Sequence, residues 1–136
     1  MSLYRCFLVS VLLIISYSQA SFAQEIAERN QSKGAYLFYT DTTHIFDTVY
    51  FNADASFTFE FTNTGAQTLS ISSIKNTCGC NILSYTETVS PQQNGYISIT
   101  YNTRRVGEFI KGITVYSNAE NSPVIFYIEG IVTHNN

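Results

Sequence analysis

The sequence is short of charge, proline and sulfur: among 136 residues there are two prolines, three cysteines, one methionine and no tryptophan. Charged residues make up only 12%, and acidic residues outnumber basic ones by ten to seven. A protein that binds nucleic acid must neutralise phosphates with a basic face, so this balance argues against nucleic-acid partners. It also argues against binding to anionic membrane surfaces, which attract clusters of lysine and arginine.

Hydrophobic residues, by contrast, make up 45% of the sequence, and the 15% that are aromatic are all tyrosine or phenylalanine. This is enough apolar material for the core of one folded domain, and the charge content is too low for a disordered chain. Because Tyr, Phe, Ile and Thr favour extended backbone, the composition predicts strands rather than helices.

No apolar run is long enough to cross a membrane, which takes about 20 residues. The longest run, residues 7–15, follows Arg5 and precedes small residues at signal-peptidase spacing, a pattern typical of a secretory signal. We predict that residues 1–23 are a cleaved signal peptide, with cleavage before Gln24 and a second candidate site after Ser18-Gln19-Ala20. Cys6 precedes the apolar run, so it is not positioned as the lipidated cysteine of a lipoprotein.

Cleavage removes Arg5, so the mature chain carries six basic residues against ten acidic ones, a net charge of −4. The predicted domain organisation is a polar spacer over residues 24–34, followed by one domain over residues 35–136. A signal peptide implies export to the periplasm or cell envelope, with secretion as the alternative. The mature chain has no second long apolar run, so we expect no membrane insertion.

Alternation of apolar and polar residues is clearest in residues 55–62, where Phe57, Phe59 and Phe61 share one face. Similar runs, bounded by turn-forming residues, recur about every 8–12 residues along the chain. They predict about seven short strands and no helix. This pattern is typical of an all-β, Ig-like antiparallel β-sandwich, in which two sheets pack face to face.

Irregular positions are predicted where the pattern breaks. Gly65 ends an Asn-Thr-Gly turn, where we expect it to adopt positive φ. Ile74 falls out of phase with the residues before it, which indicates a bulge or the end of the strand near Ser73. Gly130 interrupts the last strand and indicates a bulge or a close backbone contact.

The order of several short blocks resembles a known family. The blocks are Phe46-Asp47-Thr48-Val49, Asn63-Thr64-Gly65, Leu69-Ser70-Ile71, Cys78-Gly79-Cys80, Tyr116-Ser117-Asn118 and Glu129-Gly130. Over residues 44–132 they resemble the bacterial domain-of-unknown-function family fifteen-seventy-three. The resemblance implies an Ig-like sandwich similar to ASH/Hydin and major-sperm-protein-like modules, with a signal peptide as in many members from Bacteroidetes-type bacteria. It implies no settled activity.

The sequence departs from this family's pattern at two turns. Asp47 stands where the family usually has a glycine after phenylalanine. The segment Pro91-Gln92-Gln93-Asn94-Gly95 replaces the usual Pro-Gly turn. The Cys…Trp…Cys spacing of antibody domains is absent, so the resemblance does not extend to them.

The Cys78-Gly79-Cys80 corner combines two cysteines with a turn-forming residue, and three interpretations remain open. The thiols can pack as small apolar groups in a structural corner. They can form a disulfide, although extended residues two apart lie about 6.6–7.2 Å between Cα atoms, at the limit for a bridge unless Gly79 bends the chain. They can exchange with other thiols or bind a soft metal such as Cu(I), but two sulfurs are only half of a tetrahedral site.

No other group of residues predicts catalysis or cofactor binding. The remaining titratable candidates are isolated or lie near predicted strand ends and turns, where solvent exposure is expected: His44, His134, Asp41, Asp47, Asp54, Arg104 and Arg105. Neither a Gly-x-Ser-x-Gly nucleophile motif nor a glycine-rich phosphate loop occurs. We therefore predict no enzyme activity and no catalytic, cofactor-binding or metal-binding residues.

The predicted function is a non-enzymatic binding or assembly module of the cell envelope. Sandwich domains present sheet edges that pair with extended segments, so the predicted partner is a protein. The alternative is thiol-redox or copper-type metal handling through Cys78, Gly79 and Cys80.

Overall fold

The computed structural model describes residues 33–77 and 79–135, in which nine strands and no helix occur. The strands are β1 (Leu37–Phe38), β2 (Thr43–Tyr50), β3 (Ser56–Asn63), β4 (Leu69–Asn76), β5 (Cys80–Tyr85), β6 (Thr88–Val89), β7 (Asn94–Tyr101), β8 (Gly107–Ser117) and β9 (Val124–Thr133). No helix of this described part is long and apolar enough to cross a membrane. The predicted signal peptide and most of the predicted spacer lie outside the described residues.

Two sheets make up the domain. One has the strand order β1-β3-β7-β5, and the other has the order β2-β9-β8-β4-β6. The predicted all-β sandwich is therefore confirmed, with two differences in detail. There are nine strands rather than about seven, because β1 and β6 have two residues each and are too short to show a period. One strand pair, β2 with β9, is parallel, while the other named pairs are antiparallel.

The core lies between the two sheets and is built from the inward residues of both. The four-stranded sheet contributes Phe59, Ile97 and Ile99, and the five-stranded sheet contributes Ile113 and Phe126, all of them at most 4% exposed. Burial of a side chain of this size stabilises the fold by about 1.5–3 kcal/mol. The predicted inward face of β3 is confirmed, since Phe59 and Phe61 are buried and Phe57 packs against the core.

Two predicted irregularities are confirmed by the strand register. The pairing of β4 with β8 shifts between Ile71 and Ser73, which places a bulge at the predicted position. The pairing of β2 with β9 shifts between Ile45 and Thr48, so that two residues of β2 lie opposite Gly130.

The bulge in β2 explains why position 130 is a glycine. A Cβ atom at Gly130 would lie 3.0 Å from the Phe109 ring, 3.1 Å from Phe46 Cβ and 3.2 Å from the carbonyl oxygen of Asp47. Asp47 itself has φ of 54°, the left-handed conformation that favours glycine. The close contact predicted at Gly130 is therefore present, and it is made by the bulged residues.

The positive φ predicted for Gly65 is wrong, because positive φ among the described glycines occurs at Gly79 and Gly107. Gly65 is required for another reason. A Cβ atom there would overlap the carbonyl oxygen of Gly34 and would lie 2.6 Å from the Tyr36 nitrogen. The backbone leading into β1 packs directly on this turn, which leaves no room for a side chain.

Candidate functional site

The cysteine corner carries the chain from one sheet to the other. It joins β4 of the five-stranded sheet to β5 of the four-stranded sheet. The Cys80 N–H donates to the Thr77 carbonyl at 3.3 Å, which closes a turn. Thr77 is held by β8, because its N–H donates to the Gly112 carbonyl at 3.1 Å and its Oγ1 accepts from the Gly112 N–H at 3.2 Å. Cys78 lies outside the described residues.

Gly79 is fixed at the tip of this corner by conformation and by space. Its φ is 97°, and a Cβ atom on it would lie 3.0 Å from the Tyr101 ring. The Gly79 carbonyl accepts a hydrogen bond from the Asn102 N–H at 2.8 Å. The bend that the sequence analysis considered at Gly79 is therefore present, and a larger residue would displace Tyr101.

Cys80 is a buried, free cysteine that belongs to the hydrophobic core. Burial raises the pKa of the Cys80 thiol, and the charge of Lys111 opposes this shift. Lys111 lies between the buried residues Phe109 and Ile113 on the same, inward face of β8, and it is only partly exposed. A thiol with a raised pKa is a poor nucleophile and a poor metal ligand at neutral pH. For Cys80, the geometry favours the structural interpretation of the corner.

Tyr101 forms the wall against which Gly79 and Cys80 pack. Its ring stacks on Phe109 with centroids 3.9 Å apart and planes inclined by 17°. Burial raises the pKa of the Tyr101 hydroxyl; the nearby Cys80 acts in the same direction and Arg105 opposes it. Tyr101 is a member of the corner that the sequence analysis missed, because β7 and β5 become neighbours only in the folded sheet.

A second candidate site is the open edge of β3. On one side β3 pairs with β7 over its whole length, but on the other side β1 covers only Thr62 and Asn63. Within the described chain, the remaining stretch from Ser56 to Phe61 has no strand beside it on that side. The sequence does not predict this open edge. The edge is open because β1 has only two residues and so covers only a small part of β3.

Hydrogen bonds to β7 show which backbone groups the open edge presents. Ala55 accepts from the Tyr101 N–H at 2.9 Å, and the Asn63 N–H donates to the Gln93 carbonyl at 3.0 Å. The odd-numbered residues of β3 therefore direct their N–H and C=O groups towards β7. The even-numbered residues Thr58 and Glu60 direct theirs to the open side, where an incoming strand would pair.

A cleft of about 320 Å³ runs beside this edge. One wall is the segment that leaves β1 and enters β2, and the other wall is β3 itself. The lining residues are Thr40, Asp41, Thr43 and His44 on the first wall and Phe57, Thr58, Phe59 and Glu60 on the second. The cleft therefore combines unpaired backbone groups with aromatic side chains and two carboxylates.

His44 lines the cleft and contacts two aromatic rings. Its ring stacks on Phe57 with centroids 3.6 Å apart and planes inclined by 10°, and it contacts the Phe46 ring edge-on at 4.5 Å. Burial lowers the pKa of His44, which favours the neutral imidazole. His44 and Asp41, three residues apart in the sequence, both line the first wall of the cleft.

The other titratable candidates do not gather into one site. Asp54 accepts a hydrogen bond from Ser56 Oγ at 2.6 Å, and His134 packs near the Phe51 ring at 5.2 Å. In residues 33–77 and 79–135, no group of three or more His, Cys, Asp or Glu side chains could hold a metal ion.

Comparison with known families decides the classification. A model of the family "Protein of unknown function (DUF1573)" matches residues 37–132. The chain belongs to the DUF1573 family. The resemblance seen in the sequence is thereby confirmed, and it covers both sheets of the DUF1573 domain, including the corner and the open edge. A comparison with curated protein sequences finds no match.

Solved structures similar to this DUF1573 domain confirm the Ig-like fold class. The ASH/PapD-like domain 7 of human CEP192 matches with a TM-score of 0.65 at 10% identity, over 79% of this chain and 92% of that domain. A protein of unknown function from Porphyromonas gingivalis matches with a TM-score of 0.63 at 11% identity. That alignment covers 74% of this chain and 47% of the Porphyromonas chain, so this chain spans about half of its length.

A secreted serine protease from Vibrio cholerae, VesC, contains a similar fold in one part. It matches with a TM-score of 0.57 at 13% identity, over 71% of this chain and 23% of VesC. At these identities the likenesses concern the fold alone.

Proposed function

We propose that the protein is an exported, non-enzymatic binding module that adds an extended segment of a partner protein to the open edge of β3. The observation that carries this proposal is the unpaired stretch of β3 beside the cleft. Strand addition provides backbone hydrogen bonds for affinity, and pockets for alternate side chains provide specificity. Both components are present, because Thr58 and Glu60 direct backbone groups to the open side and line the cleft.

The edge also lacks the usual protection against pairing. Exposed edge strands of monomeric proteins typically carry lysine, proline or a bulge that prevents contact with other chains. Residues 56–61, Ser-Phe-Thr-Phe-Glu-Phe, contain neither lysine nor proline, and their pairing with β7 is regular. Glu60 is the one charged residue among them. An unprotected edge of this length is the property expected of a pairing site.

Two further observations support the proposal. The predicted signal peptide would deliver the domain to the cell envelope, where extended segments of other exported proteins are available as partners. The CEP192 domain with the same fold is an ASH/PapD-like domain. Three threonine hydroxyls also line the cleft, but none of them is hydrogen-bonded to His44 or to a carboxylate in the described chain, so no nucleophile is positioned by a base.

The test is photo-cross-linking followed by a matched pair of variants. A photoreactive residue at position 58 of the full chain should trap the partner in the native envelope, and a peptide from the trapped segment then serves as the probe. Thr58→Pro removes an outward N–H without breaking a hydrogen bond to β7, whereas Thr58→Ala keeps that N–H. Both variants lose the side-chain hydrogen bond between Thr58 Oγ1 and Ser98 Oγ at 3.0 Å, so they differ in the backbone donor.

We expect Thr58→Pro to weaken binding of the peptide at least tenfold in calorimetry and Thr58→Ala to bind like the wild type. Thermal unfolding of each variant checks that the domain is folded. Equal affinity of the wild type and the proline variant would rule out pairing at this edge.

Thiol or soft-metal handling at the corner is the alternative function, and it has less support. Cys80 is buried with a raised pKa, which disfavours the thiolate that both activities need. Intact mass, a thiol count and metal analysis of the mature protein purified from an oxidising compartment would decide. A bound ion, or a mass lower by two hydrogens, would move Cys78 and Cys80 to the centre of the function.

A further inference from the structure

The outer face of the five-stranded sheet exposes large apolar side chains where a sandwich normally presents polar ones. We name it the isoleucine face and define it by Ile45, Ile110, Ile125, Tyr127 and Ile131. Ile110 is 69% exposed, Ile45 is 56% exposed, and Ile125 and Tyr127 are each 39% exposed. These side chains come from β2, β9 and β8, which are neighbours in the sheet.

The strand register makes the isoleucine face continuous. Ile45 pairs with Glu129, and Glu129 pairs with Ile110, so these three residues form one row across the strands. In the next row Tyr127 pairs with Gly112. A Cβ atom at Gly112 would meet the Tyr127 ring at an ordinary 3.5 Å, so the fold does not require glycine there. Because Gly112 has no side chain, it leaves a gap in the middle of the isoleucine face, which another chain can approach.

A shallow depression of about 320 Å³ lies at one end of the face. The apolar part is formed by Ile45, Ile110 and Ile131, and three carboxylates stand around it: Asp47, Glu108 and Glu129. No lysine or arginine lines the depression. Within the described chain, none of the three carboxylates forms an ion pair or a side-chain hydrogen bond. The depression therefore combines exposed apolar surface with negative charge that the domain itself does not neutralise.

We propose that the isoleucine face is a second docking surface, and that it binds a partner protein through a lysine or arginine flanked by apolar side chains. The aliphatic stem of such a residue would cover Ile110, while its charged end would meet Glu108 or Glu129. A second copy of this chain fits less well. A two-fold contact through this face would bring Glu129 and its neighbours against the same carboxylates of the other copy.

The experiment uses random 12-residue peptides displayed on phage and selected on the mature protein. Selected peptides should contain Lys or Arg beside apolar residues, and on binding should shift the backbone NMR signals of Ile110 and Tyr127. Glu129→Lys and Ile110→Ser should each weaken these peptides by on the order of tenfold, because one reverses a charge and the other removes apolar contact. Leu83→Ser is the matched control, since Leu83 is 56% exposed on the other sheet and should not affect binding.

Three outcomes would overturn the proposal. They are selection of peptides without basic residues, shifts confined to other surfaces, and a concentration-dependent dimer in sedimentation that Ile110→Ser abolishes. The dimer would make the isoleucine face an interface between copies of this chain.

Peptides that bind the isoleucine face should bind Thr58→Pro as tightly as wild type, so the test is independent of the β3 edge.

Discussion

Asn63 offers the sharpest test of how this fold is held together. Its side chain is completely buried, yet all of its hydrogen-bonding capacity is used. Oδ1 accepts from the Tyr36 N–H at 3.2 Å and from the Gly65 N–H at 3.1 Å. Nδ2 donates to the carbonyl oxygens of Gln67 at 2.7 Å and Val89 at 2.9 Å. One amide thus joins the end of β3 to the entry of β1, the following turn and β6.

Asn63→Ala should therefore destabilise the domain strongly. It leaves two N–H groups and two carbonyls without partners, and each buried polar group left unpaired costs about 1–3 kcal/mol. Turn residues can shift towards water, so not all four costs are expected in full. We expect a loss of about 3–5 kcal/mol in the free energy of unfolding, a large part of the roughly 5–15 kcal/mol that stabilises a typical domain. Urea denaturation of the mature chain measures it.

Asn63→Asp is the matched variant, because it keeps the shape and the two accepted hydrogen bonds. Its second oxygen would face the carbonyl oxygens of Gln67 and Val89, which disfavours the ionised carboxylate. The carboxyl pKa in the folded state should rise above its usual value of about 3.9. A raised folded pKa gives stability that is present below the unfolded pKa and is lost as pH rises through the folded pKa.

The two variants should therefore respond differently to pH. Near pH 3 the protonated carboxyl of Asn63→Asp can donate only one of the two hydrogen bonds that the amide donates, so the variant should remain about 1–3 kcal/mol less stable than wild type. It should lose several more kcal/mol by pH 7, while the deficit of Asn63→Ala relative to wild type should not change with pH. An Asp variant whose deficit is the same at both pH values, or an Ala variant that loses less than about 1 kcal/mol, would refute this assignment of the four hydrogen bonds.

Two other predictions concern backbone strain and thiol reactivity. Asp47 and Gln92 have φ of 54° and 64°, a left-handed conformation that glycine adopts without steric cost. Asp47→Gly and Gln92→Gly should therefore each raise the free energy of unfolding, measured by urea denaturation, by up to about 1 kcal/mol. Alanine at either position should give no gain. In a Cys78→Ser variant of the mature chain, Cys80 should react with a thiol reagent more slowly than a model thiol. Its reaction rate should still rise above pH 9, because burial raises the pKa of the Cys80 thiol. Full reactivity of Cys80 in the folded state at pH 7 would contradict its burial.

The parts of the fold that the sequence predicts are those with one buried and one exposed face. β3 and β7 show alternation because Phe59, Phe61, Ile97 and Ile99 face the core while their neighbours face water. The two-residue strands β1 and β6 are too short for a period. The parallel pairing of β2 with β9 joins two distant segments of the chain, and local sequence contains no information about which distant strand will be adjacent.

The same distinction applies to the candidate sites. The Cys-Gly-Cys corner is visible in the sequence because residue types and a turn-forming glycine are local features. The raised pKa of Cys80 is not predictable, since it results from burial in the folded core, which outweighs the opposing charge of Lys111 from β8. The open edge of β3 and the isoleucine face are properties of neighbouring strands, so they become visible only once the sheet order is known.

Asp47 connects the family pattern, the fold and the second proposed surface. The family resemblance places a glycine at this position, and the φ of 54° gives the physical reason, because a side chain there is strained by about 1–2 kcal/mol. This chain has an aspartate instead, and its carboxylate stands at the depression of the isoleucine face. Residues with strained backbone cluster at functional sites. We therefore expect Asp47→Gly to raise the free energy of unfolding and to lower the affinity for the basic peptides selected on the isoleucine face. A variant that binds these peptides with unchanged affinity would show that the aspartate is tolerated there without contributing to binding.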